Sequence, residues 1–405
     1  MANAVINEIQ RLAWEKLRGL KVLHVNSTEY GGGVAELLLT QIPLLDDLGL
    51  EAQWGVIDGD EHFFEITKSI HNGFQGNKEI PWTREMEEHY LAVVTQNLPS
   101  IPGGFDVAVI HDPQPMAIPF LLGDERFDIA KHWIWRCHID CADPHPEVWG
   151  FVRRFLDPYE AMVFTMKEFV QPEVPGDRVL VSAPSIDPTS PKNSHLEPVT
   201  VSDICRQYHI DTRRPVIAQV SRFDPWKDPY GVIKAYKIVK EQIPDVQLNL
   251  AGSLAHDDPE GLRLYDELLR EREDDMDIFI LSNFQQVGNT TVNAFQRAAD
   301  VVIQKSIREG FGLTVAEAAW KSRPVIGGRA GGITLQIRDG ETGYLVDSVE
   351  EVAERSLELL RDPERATKMG TLGKDLVRDS FLTTREISDW LRLFTEIARR
   401  DPGSA

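Results

Sequence analysis

Two carboxylates flank a glycine turn in the stretch SIREGFGLTVAEA, residues 306–318. The apolar run DVVIQ before it predicts a strand, and LTVAEAAWK after it predicts a helix. Glu309 precedes the turn and can accept hydrogen bonds from sugar hydroxyls. The backbone amides at the helix start would favour an anion such as phosphate. These amides belong to Gly310, Phe311, Gly312 and Leu313.

Glu317 lies about five residues into the predicted helix, or roughly 7.5 Å along its axis. That spacing can span from a phosphate to a nucleoside ribose. The alternative is a helix-face carboxylate in solvent. Because Ala316, Ala318 and Ala319 surround Glu317 in a helix that reads as buried, we favour a binding role.

Two cations follow another predicted strand, in SRFDPWKD, where Arg222 and Lys227 are separated by four residues. A planar guanidinium and a mobile ammonium suit a diphosphate. The alternative is a pair of solvated charges, and we expect both side chains at a loop surface. The DPW sequence between them predicts a rigid turn, which favours the binding interpretation.

Glycines mark two further strand ends. In VNSTEYGGGVAE, Gly32 and Gly33 follow Gly31 before a predicted helix, and GGRAGGI occupies residues 327–333. Glycines let backbone amides approach an anion or a sugar, although such a turn can also be a simple tight connection. The first stretch does not fit G-x-G-x-x-G, which argues against a nicotinamide cofactor.

The first half of the chain also offers polar residues at strand ends. WIWRCHIDC places His138 after a strand whose tryptophans belong to the core, and VIHDPQP places Asp112 and Gln114 after another. His138 and His111 could instead be core histidines. A cluster of potential metal ligands lies near this strand end. We disfavour a metal site there, because strand alternation sends its first two members to opposite faces of the sheet. The cluster comprises Cys137, His138, Asp140, Cys141, Asp143 and His145.

Short apolar runs alternate with amphipathic stretches along the whole chain, as in KVLHVN followed by VAELLLTQIPLLDDLG. This alternation predicts α/β architecture, with two doubly wound, Rossmann-like parallel-sheet domains facing a deep cleft. The Pro- and Ser-rich stretch SAPSIDPTSPKNSHLEP is the expected hinge, giving domains 1–188 and 189–383. The amphipathic helix 384–400 has no following strand and can pack back on the first domain.

The composition limits the function classes. The chain has 405 residues, a net charge of -21 and only three cysteines. The acidic balance disfavours nucleic acid as a partner, and the few cysteines fit a reducing compartment. Without a recognisable signal peptide or membrane-length apolar run, we expect a cytoplasmic protein that does not bind a membrane. A homodimer is the default expectation.

Together, the R-x(4)-K pattern of Arg222 and Lys227 and the E-x(7)-E pattern of Glu309 and Glu317 resemble the retaining family-4 glycosyltransferases of GT-B fold. HVNSTEYGGGVAE, HDPQP, WRCHID and AHDDPEG narrow the resemblance to the trehalose glycosyltransferring synthases, over nearly the entire chain. Fungal-type trehalose phosphorylases are similar relatives with longer chains.

The resemblance implies roles at the matching positions. Arg222 and Lys227 would hold the donor diphosphate, Glu309 the transferred glucose with the amides of 310–313 near it, and Glu317 the ribose. Gly32 and Gly33 would approach the donor phosphate, and His138 would touch the donor sugar. The catalytic set is therefore His138, Arg222, Lys227 and Glu309. The implied acceptor pocket comprises Asn26, Asp112, Gln114, Arg136 and Asp140.

The implied reaction transfers glucose from a nucleoside diphosphate glucose to free glucose, giving α,α-trehalose with retention. No cofactor and no essential metal are expected. Three alternatives stay open: a phosphorylase using glucose 1-phosphate, a family-4 glycosyltransferase with another acceptor, and a two-domain sugar-binding protein without chemistry. SNFQQVGNTTVNAF, where base contacts are expected, has no decisive side chain, so the nucleotide base stays open.

Overall fold

The computed structural model describes residues 2–29, 32–254 and 259–400, and the chain divides into two compact units. The first unit runs to Pro184 and resumes at Thr383, while the second comprises Ser185–Leu382. This division and the predicted one after residue 188 both fall in the Pro- and Ser-rich segment. None of the described helices has the length and apolar character that crossing a membrane requires.

The first unit is built on a parallel sheet that has six strands within the described residues, in the order β2-β1-β3-β4-β5-β6. The strands are β1 Lys21–Asn26, β2 Glu51–Val56, β3 Phe105–His111, β4 Ala130–Cys137, β5 Ala161–Phe164 and β6 Val179–Val181. The helices are α1 Ala2–Lys16, α2 Gly33–Asp47, α3 Glu61–Phe74, α4 Arg84–Asn97, α5 Ile118–Leu122, α6 Arg126–Ile129 and α7 Pro146–Val152.

The second unit repeats the architecture with the strand order β12-β11-β10-β7-β8-β9, again parallel and again counted over the described residues. The strands are β7 Val216–Val220, β8 Gln247–Gly252, β9 Ile278–Ser282, β10 Val301–Gln304, β11 Val325–Gly328 and β12 Tyr344–Val346. The helices are α8 Pro198–Gln207, α9 Pro229–Gln242, α10 Pro259–Glu271, α11 Asn289–Ala298, α12 Leu313–Trp320, α13 Ile333–Gln336, α14 Val349–Arg361 and α15 Pro363–Ser380.

The last helix, α16 Thr383–Ile397, packs within the first unit. Its apolar face, including Leu391 and Phe394, joins one core cluster with Leu12 and Ala13 of α1. Outside that core, Arg392 and Glu8 form an ion pair of 2.6 Å between α16 and α1. The sequence prediction of a terminal amphipathic helix is confirmed, with bounds that differ by a few residues.

Both sheets are covered on two faces, which explains their nearly continuous apolar strands. In β1, Leu23 and Val25 belong to one core cluster and Val22 to another. The predicted α/β fold with two Rossmann-like parallel sheets is confirmed. Strand order reverses between β1 and β3 and between β7 and β10, and ligands of such sheets bind beyond the carboxyl ends at these points.

Candidate active site

In the second unit, the loops that follow β7 and β10 meet at the point where the strand order reverses. Lys227 Nζ lies 2.7 Å from Glu309 Oε2 although 82 residues separate them. The amide of Ile307 donates to the carbonyl oxygen of Trp226 over 2.8 Å, which ties the two loops together. The structure therefore joins a predicted diphosphate-binding cation to a predicted sugar-binding carboxylate.

A chain of polar side chains orients Glu309. Ser306 Oγ donates to Glu309 Oε2 over 3.0 Å, and Gln304 Nε2 donates to Ser306 Oγ over 3.0 Å. Thr314 Oγ1 in turn donates to Gln304 Oε1 over 3.0 Å. Sequence reasoning missed this support. The signal was a glutamine that ends the otherwise apolar strand VVIQ.

Arg222 and Lys227 differ in environment. The side chain of Arg222 is 41% exposed and its Nη2 lies 3.2 Å from Asp224 Oδ2. Asp224 Oδ1 also accepts from the amide of Trp226 over 2.9 Å, which closes the predicted turn. The side chain of Lys227 is only 12% exposed, so the expectation of a surface position is wrong for this residue. Its ion pair with Glu309 draws it inward.

The glycine turn leads directly into α12. Gly312 adopts a left-handed conformation with φ of +82°, which a residue without a Cβ adopts freely, and it is the N-cap. The amides from Gly310 to Leu313 have no acceptor among the described residues. An unpaired helix start of this kind is suited to an anion.

Glu317 is fully buried in α12, contrary to the solvated alternative. Neither of its carboxylate oxygens accepts a hydrogen bond from the described residues. Lys192 Nζ lies 3.4 Å from Oε1, close enough for an ion pair but without hydrogen-bond geometry. A buried carboxylate with unused acceptors is costly unless a ligand satisfies it. Lys192, which belongs to the Pro- and Ser-rich segment, was not predicted.

Gly328 allows the loop with Ser306 to approach the end of β11. A Cβ at Gly328 would lie 2.2 Å from the carbonyl oxygen of Ser306. We expect Gly328→Ala to destabilise the fold by about 1–3 kcal/mol and to lower activity by displacing Ser306 and Glu309. Thermal unfolding and kcat/KM measure the two effects. Gly150→Ala, whose Cβ meets nothing within 4 Å, is the control, and equal behaviour of both variants contradicts the prediction.

In the first unit, predicted residues meet at the carboxyl ends of β3 and β4. The amide of His138 donates to Asp112 Oδ1 over 2.7 Å, and the amide of Asp112 donates to the carbonyl oxygen of Arg136 over 2.8 Å. Asp112 has a positive φ of 61°, an uncommon backbone conformation for a residue other than glycine. His138 Nε2 also lies 3.0 Å from His111 Nδ1.

Two predicted acceptor residues are engaged inside the fold. Asn26 Oδ1 accepts from Trp54 Nε1 over 2.8 Å, and Asp140 Oδ1 accepts from the amide of Ala142 over 3.1 Å. Both side chains are buried. The acceptor role of Asn26 and Asp140 therefore stays a prediction.

Arg136 and Gln114 differ in burial. Arg136 is fully buried, and its guanidinium nitrogens donate to none of the described residues. Burial lowers the pKa of Arg136, while the carboxylate of Glu386 on α16 raises it. Gln114 is half-buried beside Asp112.

The glycine turn of the first unit leads into α2, as the sequence predicts. Gly32 is the N-cap of α2 and Gly33 its first residue. Gly31 lies outside the described residues, as do residues 255–258 of the AHDDPEG stretch.

Burial raises the pKa of Asp112 to about 7, and the hydrogen bond from the His138 amide offsets part of that rise. Because the folded pKa of this carboxyl exceeds its unfolded value of 3.8, its ionisation lowers the stability of the folded protein as pH rises from about 4 to 7. Because Asp112 is only half-buried, we expect the loss to be about 1–3 kcal/mol. The free energy of unfolding in urea, taken as wild type minus Asp112→Asn, should fall by this amount across the range, because the buried histidines contribute equally to both proteins. Asp143→Asn, at an exposed position, should behave as the wild type. Identical pH dependence in Asp112→Asn contradicts the prediction.

The potential metal ligands from Cys137 to His145 lie in different surroundings. Cys137 belongs to a core cluster, and its Sγ lies 4.0 Å from Cys141 Sγ, whereas His138 contacts His111. Over the ranges that the structure describes, no three His, Cys, Asp or Glu side chains group as a metal site.

Family models match both units. Residues 24–171 match the N-terminal domain of trehalose synthase, and residues 202–375 match the glycosyl transferases of group 1. The trehalose synthase of Pyrococcus horikoshii is 46% identical over 97% of this chain and 93% of its own. That of Rubrobacter xylanophilus is 47% identical over 96% and 93%.

More distant relatives share less sequence identity with this chain. A trehalose phosphorylase of Grifola frondosa is 28% identical over 96% of this chain but 58% of its own. Among solved structures, sucrose-phosphate synthase from Thermosynechococcus elongatus has a TM-score of 0.71 at 18% identity, covering 93% of this chain and 99% of its own. Anabaena HepE in complex with UDP-glucose has a TM-score of 0.67 at 15% identity, with coverage of 93% and 99%. These structures share the glycosyltransferase fold. The chain therefore belongs to the trehalose synthase family and is an enzyme of trehalose-related glycosyl transfer.

Proposed function

We propose that this enzyme transfers glucose from a nucleoside diphosphate glucose to the anomeric hydroxyl of free glucose, giving α,α-trehalose with retention. The observation that carries the donor assignment is the buried carboxylate of Glu317, whose oxygens have no hydrogen-bond donor among the described residues. A ribose supplies two hydroxyl donors. The Anabaena HepE structure holds UDP-glucose in a related fold, which supports the same donor class.

The groups around the glycine turn suit a sugar nucleotide. The amides of Gly310–Leu313 and the side chains of Arg222 and Lys227 would hold the diphosphate. Glu309, which Lys227 and Ser306 orient, would accept hydrogen bonds from glucose hydroxyls. In the first unit, His138 would hydrogen-bond to glucose, and Asn26, Asp112, Gln114, Arg136 and Asp140 remain the proposed acceptor-side residues.

During transfer, the bond between glucose C1 and the diphosphate oxygen breaks, and the acceptor oxygen bonds to C1. The departing phosphate oxygen takes the proton of the acceptor hydroxyl. Negative charge grows on the diphosphate while positive charge grows on the sugar. Preorganised cations and amides stabilise that leaving group. Lys227 and Ser306 occupy Glu309 Oε2, which favours hydroxyl binding by Glu309 over a nucleophilic role.

The experiment mixes the protein with glucose and a panel of UDP-, ADP- and GDP-glucose and measures nucleoside diphosphate and trehalose together. Equimolar release of both is expected, and the best donor identifies the base. Trehalose formed from glucose 1-phosphate without nucleotide release would overturn the donor assignment and favour a phosphorylase, as in the Grifola frondosa relative. Nucleoside diphosphate release that requires an acceptor other than glucose would overturn the acceptor assignment. Ligand binding without any product contradicts an enzymatic role.

A further inference from the structure

Three histidines form a continuous chain in the first unit. His24 Nδ1 lies 3.0 Å from His111 Nε2, and His111 Nδ1 lies 3.0 Å from His138 Nε2. The rings are stacked, with centroids 5.3 Å and 5.4 Å apart. His24 lies in β1, His111 ends β3, and His138 follows β4. The parallel sheet thus brings together imidazoles that are far apart in sequence.

All three imidazoles are neutral near pH 7. Burial lowers the pKa of His24 to about 3. Burial also lowers the pKa of His111 and His138 well below the usual value, and the Arg136 guanidinium lowers both further. A neutral imidazole has one N–H donor and one acceptor nitrogen. Each ring in this chain can therefore donate at one nitrogen only.

Two proton arrangements satisfy both hydrogen bonds. In the first, every ring carries its proton on Nδ1, so His24 donates to His111 and His111 donates to His138. In the second, every ring carries its proton on Nε2, and donation runs the other way. A mixed arrangement sets two donors or two acceptors against each other. The tautomers of the three rings are thus coupled.

The buried end of the chain distinguishes the two arrangements. His24 is fully buried, and its Nε2 has no partner among the described residues. The first arrangement buries only an unused acceptor there, whereas the second buries an unpaired N–H, the rarer case in proteins. The edge-on ring of Trp390, 6.1 Å away, offers an N–H at most a weak contact. Contacts of that kind are second-order beside a lost hydrogen bond.

We propose that His24 and His111 are positioning residues that hold His138 as its Nδ1–H tautomer. The outer nitrogen of His138 then donates to a hydroxyl oxygen of the bound glucose unit instead of accepting from it. Among the described residues, His138 contacts His111 through its Nε2, so Nδ1 is the outer nitrogen. The glucose contact rests on the proposed function, whereas the tautomer does not.

Nuclear magnetic resonance tests the tautomer without any substrate. Long-range proton–nitrogen spectra of protein labelled with nitrogen-15 histidine distinguish protonated from unprotonated ring nitrogens. Spectra of His24→Asn, His111→Asn and His138→Asn assign the three rings. Protons on all three Nδ1 atoms support the proposal. A proton on Nε2 of His138 in the wild type overturns it, whichever substrates the enzyme proves to use.

Kinetics test the positioning role. His24→Asn keeps an amide N–H able to donate to His111 Nε2, whereas His24→Leu removes the donor. We expect His24→Leu to lower kcat/KM about tenfold, the effect of roughly one hydrogen bond, and His24→Asn to retain most of it. Equal kcat/KM in the two variants, or a greater loss in His24→Asn, overturns the role.

A matched control separates this effect from lost stability. His132 is also buried in β4, but it pairs with Glu160 at 2.9 Å and lies outside the chain. His132→Asn should destabilise the fold while leaving kcat/KM near the wild-type value. A loss of kcat/KM in His132→Asn as large as that in His24→Leu shows a general structural effect and overturns the positioning role.

Discussion

Replacing Lys227 with alanine is expected to lower kcat about 100- to 1,000-fold, the usual effect of removing one group that stabilises developing charge. Lys227 holds Glu309 at 2.7 Å and is largely buried, so its loss removes a cation from the proposed diphosphate site and frees a sugar-binding carboxylate. Steady-state kinetics over both substrates measure the loss. Near-normal kcat in Lys227→Ala contradicts the assigned role.

The stability change needs its own control, because Lys227→Ala also breaks an ion pair. Lys240 is a suitable match in the same unit, since its Nζ lies 2.5 Å from Asp275 and 3.0 Å from Asp277. Lys240→Ala should reduce thermal stability while leaving kcat unchanged. Arg222→Ala, at a more exposed position, should lower kcat within the same range at little cost in stability.

Glu317→Gln is expected to raise KM for the nucleotide donor about 10- to 100-fold, because hydrogen bonds to a charged group are worth about 1.5–3 kcal/mol. The stability of the free protein should change by less than about 1 kcal/mol. The substitution loses the ion pair with Lys192 at 3.4 Å, but it also removes a buried charge whose oxygens accept no hydrogen bond from the described residues. Titration of nucleoside diphosphate by calorimetry measures the affinity, and thermal unfolding measures the stability.

Glu358→Gln is the matched control for this substitution. Glu358 accepts from Tyr344 and Arg355 in the same unit, so the variant should lose stability but keep its donor KM. The donor KM of Glu317→Gln also distinguishes a nucleotide-sugar donor from glucose 1-phosphate. A glucose 1-phosphate donor has no ribose, so an unchanged KM in Glu317→Gln would contradict the nucleotide-sugar assignment.

Much of the fold was predictable because its signals are local. Apolar runs such as VIAQV fall wholly inside a sheet, and the strand-and-helix alternation restricts the chain to parallel sheets. The glycine turn before α12 was predictable for the same reason, since a strand, a turn and a helix start are encoded within a few residues. The sequence pattern predicted that Lys227 and Glu309 lie at strand ends of one domain, but it did not predict their contact.

The sequence by itself therefore determined the two Rossmann-like sheets, the family motifs and the side chains at the strand ends. Only the tertiary structure decided which atoms meet: Lys227 is drawn inward by Glu309, Lys192 lies beside Glu317, and three histidines align across β1, β3 and β4. Neighbouring strands of a parallel sheet are separated in sequence by whole helices. Their register, and the burial that it imposes on polar groups, is set by packing of the complete sheet and not by any local stretch.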